Sequence, residues 1–299
     1  MKIEKLNLHS CAMIVEFNAS QWTARKLDRK VTDEVIADKN AKAASSGRFN
    51  KNLFAGRSEL EDIGKHVTMV RNYVVTNTLP WSDNGQRLLP AAKFLEFDKK
   101  MSIYKEEFEA LVDSFVSQYP TLITAQAMSL GDMFDRADFP PASDIARRFG
   151  FAYDYLPVPA AGDFRVDIGN TAQDELQTRL LKSAQTRVDA AMDDLSKRLT
   201  DHLKRMSERL VTDIDDKTGE PKHRKFTSTL VTGVYDLCDL VKGLNVTNDP
   251  VLNQARRILE ETLAGTSAES LRTDPIKRAD VKKEVDNLLN KFSFSMDGA

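Results

Sequence analysis

Residues 171–215, TAQDELQTRLLKSAQTRVDAAMDDLSKRLTDHLKRMSERLVTDID, contain neither glycine nor proline. Their apolar side chains recur three and four positions apart, which predicts one continuous amphipathic helix. A helix of about 45 residues is roughly 67 Å long, whereas a compact chain of 299 residues is only about 50 Å across. The sequence therefore predicts an elongated, mainly α-helical protein that presents a surface to partners.

The predicted helix carries an apolar seam on which another helix can pack. Its members are Leu181, Val188, Met192, Leu195, Leu199, Met206 and Leu210. A second helix is predicted to begin near Pro90, to carry an aromatic stripe from Phe94 to Phe115, and to end at Pro120, because proline breaks the helical hydrogen-bond ladder. We expect this stripe to pack along the long helix, giving a helical bundle or coiled-coil hairpin.

Short strand patterns accompany the helices. Residues 11–17 are bulky and apolar, and residues 151–155 and 164–168 alternate, so a small β-sheet element is expected. Residues 22–42 are predicted to be a basic helix, and residues 40–57 a flexible loop. The predicted organisation is an N-terminal strand with the basic helix and loop (1–57), a helical hairpin region (58–149), the β element (150–170), the long helix (171–215) and a C-terminal helical region (216–299).

Two Asp-Pro pairs predict helix starts in the C-terminal region. Asp249 and Asp274 each offer a side-chain acceptor immediately before a proline. Such a pair places a capping residue before a proline at the first helical position.

The composition limits the classes of partner. The 43 basic and 45 acidic side chains give no global field for a polyanion. No run of apolar residues is long enough for a membrane span, and the apolar run at Cys11 is too short for a secretion signal. Cys11 and Cys238 lie in apolar sequence, which favours reduced, buried thiols in the cytoplasm.

Motifs for catalysis are absent from the sequence. It contains no phosphate-binding loop, dinucleotide fingerprint, nucleophile elbow or His-Glu-x-x-His pattern. Asp132, Asp135 and Asp138 recur every three residues without the alternate spacing of a calcium loop, which favours helix capping or a solvated face. We therefore expect a non-enzymatic protein with no cofactor and no metal, although a site assembled from scattered acids is a third alternative.

The N-terminal segment 19–57 is locally basic, with nine basic residues against four acidic ones. Basic groups for phosphates and aromatic rings for bases are typical of single-strand nucleic-acid binders. Basic helices also bind acidic protein surfaces, and Trp22 could equally fasten this helix to the core. The candidate phosphate contacts are Arg25, Lys26, Arg29, Lys30, Arg48 and Lys51, and the candidate stacking rings are Trp22, Phe49 and Phe54.

An ordered series of short motifs carries a resemblance over nearly the whole chain. The motifs are SQWTARK (20–26), TLPW (78–81), RLLP (87–90), GDFRV (162–166), LNVTNDP (244–250) and LRTDP (271–275). The sequence resembles an uncharacterised family of phage and bacterial proteins classed as a domain of unknown function. The resemblance implies a phage origin, and an AAA-type ATPase as a possible partner because some members are encoded near one. It supplies no catalytic residues or cofactor.

These observations favour a phage-type helical scaffold that acts through protein–protein contacts and self-association, within the host cytoplasm and without a membrane. The alternative is a single-stranded DNA-binding protein of phage DNA metabolism. That alternative depends on the basic segment 19–57.

Overall fold

The computed structural model describes residues 8–42, 45–159, 170–214, 221–223 and 228–296. The chain divides into two compact units. Unit 1 comprises Met1–Glu16, Val75–Leu95 and Tyr155–Ala299, and unit 2 comprises Phe17–Val74 and Glu96–Asp154. The alternation at 164–168, the GDFRV motif and residues 215–220 lie outside the described residues.

Helices dominate both units, as the sequence predicts. They are α1 (Leu8–Cys11), α2 (Arg29–Asp38), α3 (Ser58–Asn77), α4 (Phe94–Leu130), α5 (Ala142–Ala146), α6 (Asn170–Leu210), α7 (Ser228–Leu244), α8 (Pro250–Leu263), α9 (Ala268–Thr273) and α10 (Pro275–Met296). None of these described helices has the length and apolar character that a membrane span requires.

The strands form small sheets. They are β1 (Ala12–Ser20), β2 (Arg25–Leu27), β3 (Asn50–Asn52), β4 (Leu79–Pro80), β5 (Arg87–Pro90), β6 (Gly150–Pro157), β7 (Thr212–Ile214) and β8 (Pro221–His223). One sheet has the order β4-β5-β1-β6, with β5 antiparallel to both β1 and β4. The predicted small β element is thus confirmed, and two further strand pairs, β2-β3 and β7-β8, add to it.

The predicted long helix is confirmed as α6, which has 41 residues. Its predicted end at residue 215 is wrong, because α6 ends at Leu210 and residues 212–214 form β7. Helix α6 packs against α7 and α10 in unit 1. The buried side chains of α6 join those of α7, α8 and α10 in one core. The packing partners of α6 do not confirm the predicted coiled-coil hairpin.

The predicted end of the second helix at Pro120 is wrong, because α4 continues to Leu130. Proline removes one main-chain donor, but the residues around it are held by packing. Phe115, Tyr119, Leu122 and Ile123 are all buried on one face of α4 in the core of unit 2. Burial on both sides of Pro120 therefore outweighs the roughly 3 kcal/mol that an interior proline costs.

Local capping signals in the C-terminal region are confirmed. The Asp249 carboxylate accepts hydrogen bonds from the main-chain nitrogens of Val251 and Leu252 at the start of α8. Asp274 does the same for the first turn of α10. Cys238 is buried as expected, and burial raises the pKa of its thiol to about 12. The expectation of burial is wrong for Cys11, which is exposed.

The segment predicted as a basic helix followed by a loop has a different structure. Residues 25–27 form β2 instead of the first turn of a helix, and α2 begins only at Arg29 behind the capping carboxylate of Asp28. Residues 50–52 form β3, which pairs with β2 in antiparallel register. A two-stranded ribbon in which Lys51 is buried and the three residues of β2 are exposed replaces the continuous basic face expected of a helix.

Candidate interaction surfaces

The β2-β3 ribbon buries an ion cluster on one of its faces. Lys26 and Lys51 lie opposite each other in the register, and both reach the carboxylate of Asp138. The distances are 2.6 Å from Lys26 Nζ to Oδ1 and 2.5 Å from Lys51 Nζ to Oδ2. Lys51 Nζ also lies 3.4 Å from Oδ2 of Asp28 and donates to the carbonyl oxygen of Met133 at 2.8 Å. The charges of both lysines are therefore balanced within the chain.

The electrostatics of this cluster follow from burial and pairing. Burial alone would raise the pKa of Asp138, but the hydrogen bonds from Lys26 and Lys51 outweigh it and lower that pKa. Burial alone would lower the pKa of Lys51, but Asp138 and Asp28 together raise it. Each group thus stays charged at neutral pH because its partners are charged.

Trp22 and Phe54 belong to an aromatic core. Their ring centroids lie 5.7 Å apart, and both rings also contact Phe115 and Tyr119 of α4. Trp22 is 8% exposed and Phe54 is 2% exposed. Neither ring presents a face to solvent on which a base could stack. Their role in this structure is to pack unit 2, the alternative that the sequence left open for Trp22.

The remaining candidates lie on the surface. Arg25, Arg29, Lys30 and Arg48 are exposed, and Phe49 keeps 36% of its surface in solvent. Among the described residues, these four basic side chains form no ion pair. The structure therefore divides the nine predicted contacts. Lys51, Trp22 and Phe54 are buried, Lys26 is paired but half-exposed, and the other five are accessible.

Sequence reasoning missed the acids that balance this segment. Asp28 was counted only as one of four acids, and Asp138 as a capping or solvated residue. Asp135 does cap a short turn, accepting from the nitrogen of Ala137 at 2.9 Å. Asp138 is instead buried against Lys51, which lies 87 positions away in the sequence. The signal that could have predicted this pairing is the register of β2 with β3, which places Lys26 opposite Lys51.

Sequence reasoning also missed exposed apolar residues beside these bases. Leu27 is 40% exposed and Val35 is 50% exposed. An open cleft of about 480 Å³ borders Leu27 and Arg29 and reaches the Asp138 ion cluster. The surface thus combines apolar and basic groups.

Most of the α6 seam is buried within one copy of the chain. Val188, Leu195, Leu199, Met206 and Leu210 are each at most 2% exposed. Met192 is partly buried and packs against the same core. These side chains cannot meet a partner while the core is closed. Only Leu181 of the predicted seam lies in a part of α6 that has no fully buried side chain.

Chemistry for a metal is not assembled in the described part of the chain, where no three His, Cys, Asp or Glu side chains are grouped as ligands. The comparisons with known proteins supply no relative: no family model, curated protein or solved structure matches the chain. The surfaces themselves therefore carry the functional argument.

Proposed function

We propose that the protein is a non-enzymatic helical interaction protein that acts through protein–protein contacts and self-associates through the N-terminal part of α6. One observation carries this proposal. Between Glu175 and Arg187 no side chain of α6 is fully buried, whereas from Val188 onward the helix lies in the core of unit 1. Among the described residues, this part of the helix thus has an apolar stripe without a complete partner.

Leu181 and Ala184 continue the buried seam in the N-terminal direction, and Leu176 and Leu180 widen it on one side. Leu176, Leu181 and Ala184 are half-buried, and Leu180 is 38% exposed. Isolated helices shorter than about 12–15 residues are marginal in water, so most helical stability comes from packing an apolar face. Fully burying one leucine contributes about 1.5–3 kcal/mol. Completing the burial of three leucines on each of two copies would contribute on the order of 5 kcal/mol.

The charges along this half of α6 favour a second copy in antiparallel orientation. The exposed acid Glu175 comes first, and the exposed bases Arg179, Lys182 and Arg187 follow it. Two antiparallel copies bring the acidic end of one helix to the basic end of the other, whereas parallel copies align like charges. Antiparallel helix dipoles add to this preference. We therefore propose an antiparallel α6–α6 contact.

The experiment is light scattering on the full chain from micromolar to tens of micromolar concentration. We expect a mass of about twice 33.6 kDa at the upper end. Leu180→Glu should shift the distribution to monomer, because it places a charge in the stripe. Thr186→Glu adds the same charge at an exposed position that lies about 120° from Leu180 and about 140° from Leu181 around the helix, and should leave the mass unchanged. A mass of 33.6 kDa at every concentration would refute the proposal.

The wider context of this function comes from the sequence resemblance alone. A phage origin, a location in the host cytoplasm and an AAA-type ATPase partner stay predictions. An ATPase that recognised the self-associated form would bind wild type and Thr186→Glu but not Leu180→Glu, which pull-down with the purified ATPase would measure.

A further inference from the structure

A cleft of about 530 Å³ lies in unit 1 between α6 and the turn that joins β4 to β5. We call it the Trp81 cleft. The residues that give it its chemistry are Trp81, Ser82, Asp83 and Asn84 from the turn and Thr186 and Arg187 from α6. Sites for small molecules have volumes of about 300–1,000 Å³ and place a few polar groups beside apolar surface. The size and lining of the Trp81 cleft therefore suit a small molecule.

Hydrogen bonds hold both walls of the cleft in place. The carbonyl oxygen of Gln86 accepts from the main-chain nitrogens of Trp81 and Ser82 at 3.1 and 3.3 Å, which closes the turn. Arg198 of α6 donates to the carbonyl oxygen of Thr78 at 3.1 Å, immediately before β4. The turn and the helix are thus tied together next to the cleft.

The Trp81 side chain brings a polar group that lacks a partner. Trp81 is 4% exposed, and Cζ of Arg187 lies 5.5 Å from the centroid of its ring. The indole Nε1 is shielded from solvent and has no hydrogen-bond acceptor among the described residues. Most buried side-chain polar atoms have a partner, so an unpaired one requires an explanation. An acceptor supplied by a ligand is one that the cleft can accommodate.

Two charged groups of the cleft are also unpaired. Arg187 and Asp83 are both exposed. Within the part of the chain that the structure describes, neither forms an ion pair, whereas Arg198 further along α6 pairs with Asp194 at 2.6 Å. A guanidinium only donates hydrogen bonds, and an ionised carboxylate only accepts them. The cleft therefore offers one place for an anionic group and another for a cationic group.

We infer that the Trp81 cleft binds a free α-amino acid with an apolar side chain. The carboxylate of the ligand accepts from Arg187, because guanidinium and carboxylate form strong, charge-assisted hydrogen bonds. As the Arg187 side chain turns from the ring to the ligand, Nε1 of Trp81 becomes accessible and donates to the same carboxylate. The ammonium group of the ligand donates to Asp83. A simple anion would leave Asp83 unpaired and a simple amine would leave Arg187 unpaired, whereas a zwitterion pairs with both.

The test observes the indole N–H of Trp81 by nuclear magnetic resonance on the full chain, labelled with ¹⁵N at tryptophan. The chain has two tryptophans, so the spectrum has one other indole signal, and Trp81→Phe identifies the signal of Trp81. Titration with leucine should shift that signal, because the N–H gains an acceptor. The signal of Trp22 should stay in place, because Trp22 is buried in the core of unit 2.

Two analogues of leucine test the two charges separately. N-acetylleucine keeps the carboxylate and lacks the ammonium group, and leucinamide keeps the ammonium group and lacks the carboxylate. Each should bind at least ten-fold more weakly than leucine. Asp83→Asn should remove the preference for leucine over N-acetylleucine, and Arg187→Gln should remove the preference for leucine over leucinamide.

Further variants locate the site. Arg205→Gln is the matched control for Arg187→Gln, because Arg205 is exposed on the same face of α6 about 27 Å along the helix. It should bind leucine normally. Thr186→Glu introduces a carboxylate into the cleft and should weaken leucine binding at least ten-fold by repelling the carboxylate of the ligand. Circular dichroism and thermal melting of each variant establish that it is folded.

Three results would overturn the inference: no shift of the Trp81 signal with leucine at millimolar concentration, equal binding of leucine and both analogues, or unchanged leucine binding by Arg187→Gln. Self-association is measured by mass and ligand binding by the indole signal. Either proposal can therefore fail while the other stands.

Discussion

Arg278 of α10 donates a hydrogen bond from Nε to the carbonyl oxygen of Leu210, the last residue of α6, over 3.0 Å. Its two Nη atoms reach the carbonyl oxygens of Arg209, Val211 and Leu271 at 2.8, 3.3 and 3.2 Å. The last carbonyls of a helix lack partners within the helix, and a cation there also interacts favourably with the helix dipole. Arg278 is 1% exposed, so one buried side chain ties the end of α6 to α9 and α10.

Replacing Arg278 by methionine should lower the free energy of unfolding by about 2–4 kcal/mol, because several buried carbonyl groups lose their donor. Arg278→Lys keeps the charge but not the planar fork of donors, so its free energy of unfolding should lie between those of wild type and Arg278→Met. Arg272→Met is the control, since Arg272 is half-exposed in a surface ion pair and should cost under about 0.5 kcal/mol. Urea denaturation measures all three. An Arg278→Met protein with the same free energy of unfolding as wild type would contradict the capping role.

The Asp138 ion cluster predicts acid sensitivity in unit 2. The pKa of Asp138 and that of Asp28 are both lowered on folding. A carboxyl group with a lowered pKa stabilises the fold above its unfolded pKa of about 3.9, and this contribution is lost as the pH falls through the folded value. Wild type should therefore lose stability below about pH 4. Asp138→Asn should show a smaller loss over the same range.

At neutral pH, Asp138→Asn should itself destabilise the protein by about 3 kcal/mol, because it leaves the buried ammonium of Lys51 with only Asp28 as a charged partner. Asp135→Asn, at an exposed acid three positions away, is the control. It should change neither the stability at neutral pH nor the loss of stability in acid by much. Thermal melts between acid and neutral pH provide the measurement. Equal acid sensitivity of wild type and Asp138→Asn would show that other carboxyl groups dominate.

How far the sequence foretold this fold depended on the range of the interactions. Periodicity located α6 because apolar residues recur on one face at every turn of that helix. The capping roles of Asp249 and Asp274 were predicted because a cap bonds to residues next to it in the sequence. The extension of α4 past Pro120 depended on packing around Phe115 and Ile123, which no local rule contains. Propensity therefore placed the element, and tertiary contacts decided where it ended.

The interaction surfaces were harder to predict than the helices. The basic residues of segment 19–57 were counted together, yet the β2-β3 register places Lys26 and Lys51 opposite each other, where both reach Asp138, and leaves Arg25 without an ion pair among the described residues. A charge count cannot distinguish these positions, because it has no information on faces or on a partner as distant as Asp138. Likewise the seam of α6 was correctly found to be apolar, but its cover from Val188 onward comes from α7 and α10 of the same chain.

The close approach of α7 to α6 at Gly233 gives a prediction that separates packing from propensity. A Cβ atom added at Gly233 would lie 3.1 Å from Cε1 of His202 on α6, closer than ordinary van der Waals contact. Alanine is otherwise favoured over glycine inside a helix by about 1 kcal/mol. Gly233→Ala should therefore gain little stability in wild type, and about 1 kcal/mol when His202 is also alanine.

Chemical denaturation of the four proteins in this double-mutant cycle gives the coupling, and any other contact of His202 cancels in it. Asp236→Ala, on the exposed side of α7, should be additive with His202→Ala. A coupling below about 0.3 kcal/mol between Gly233 and His202 would show that the two helices can separate at this point without cost.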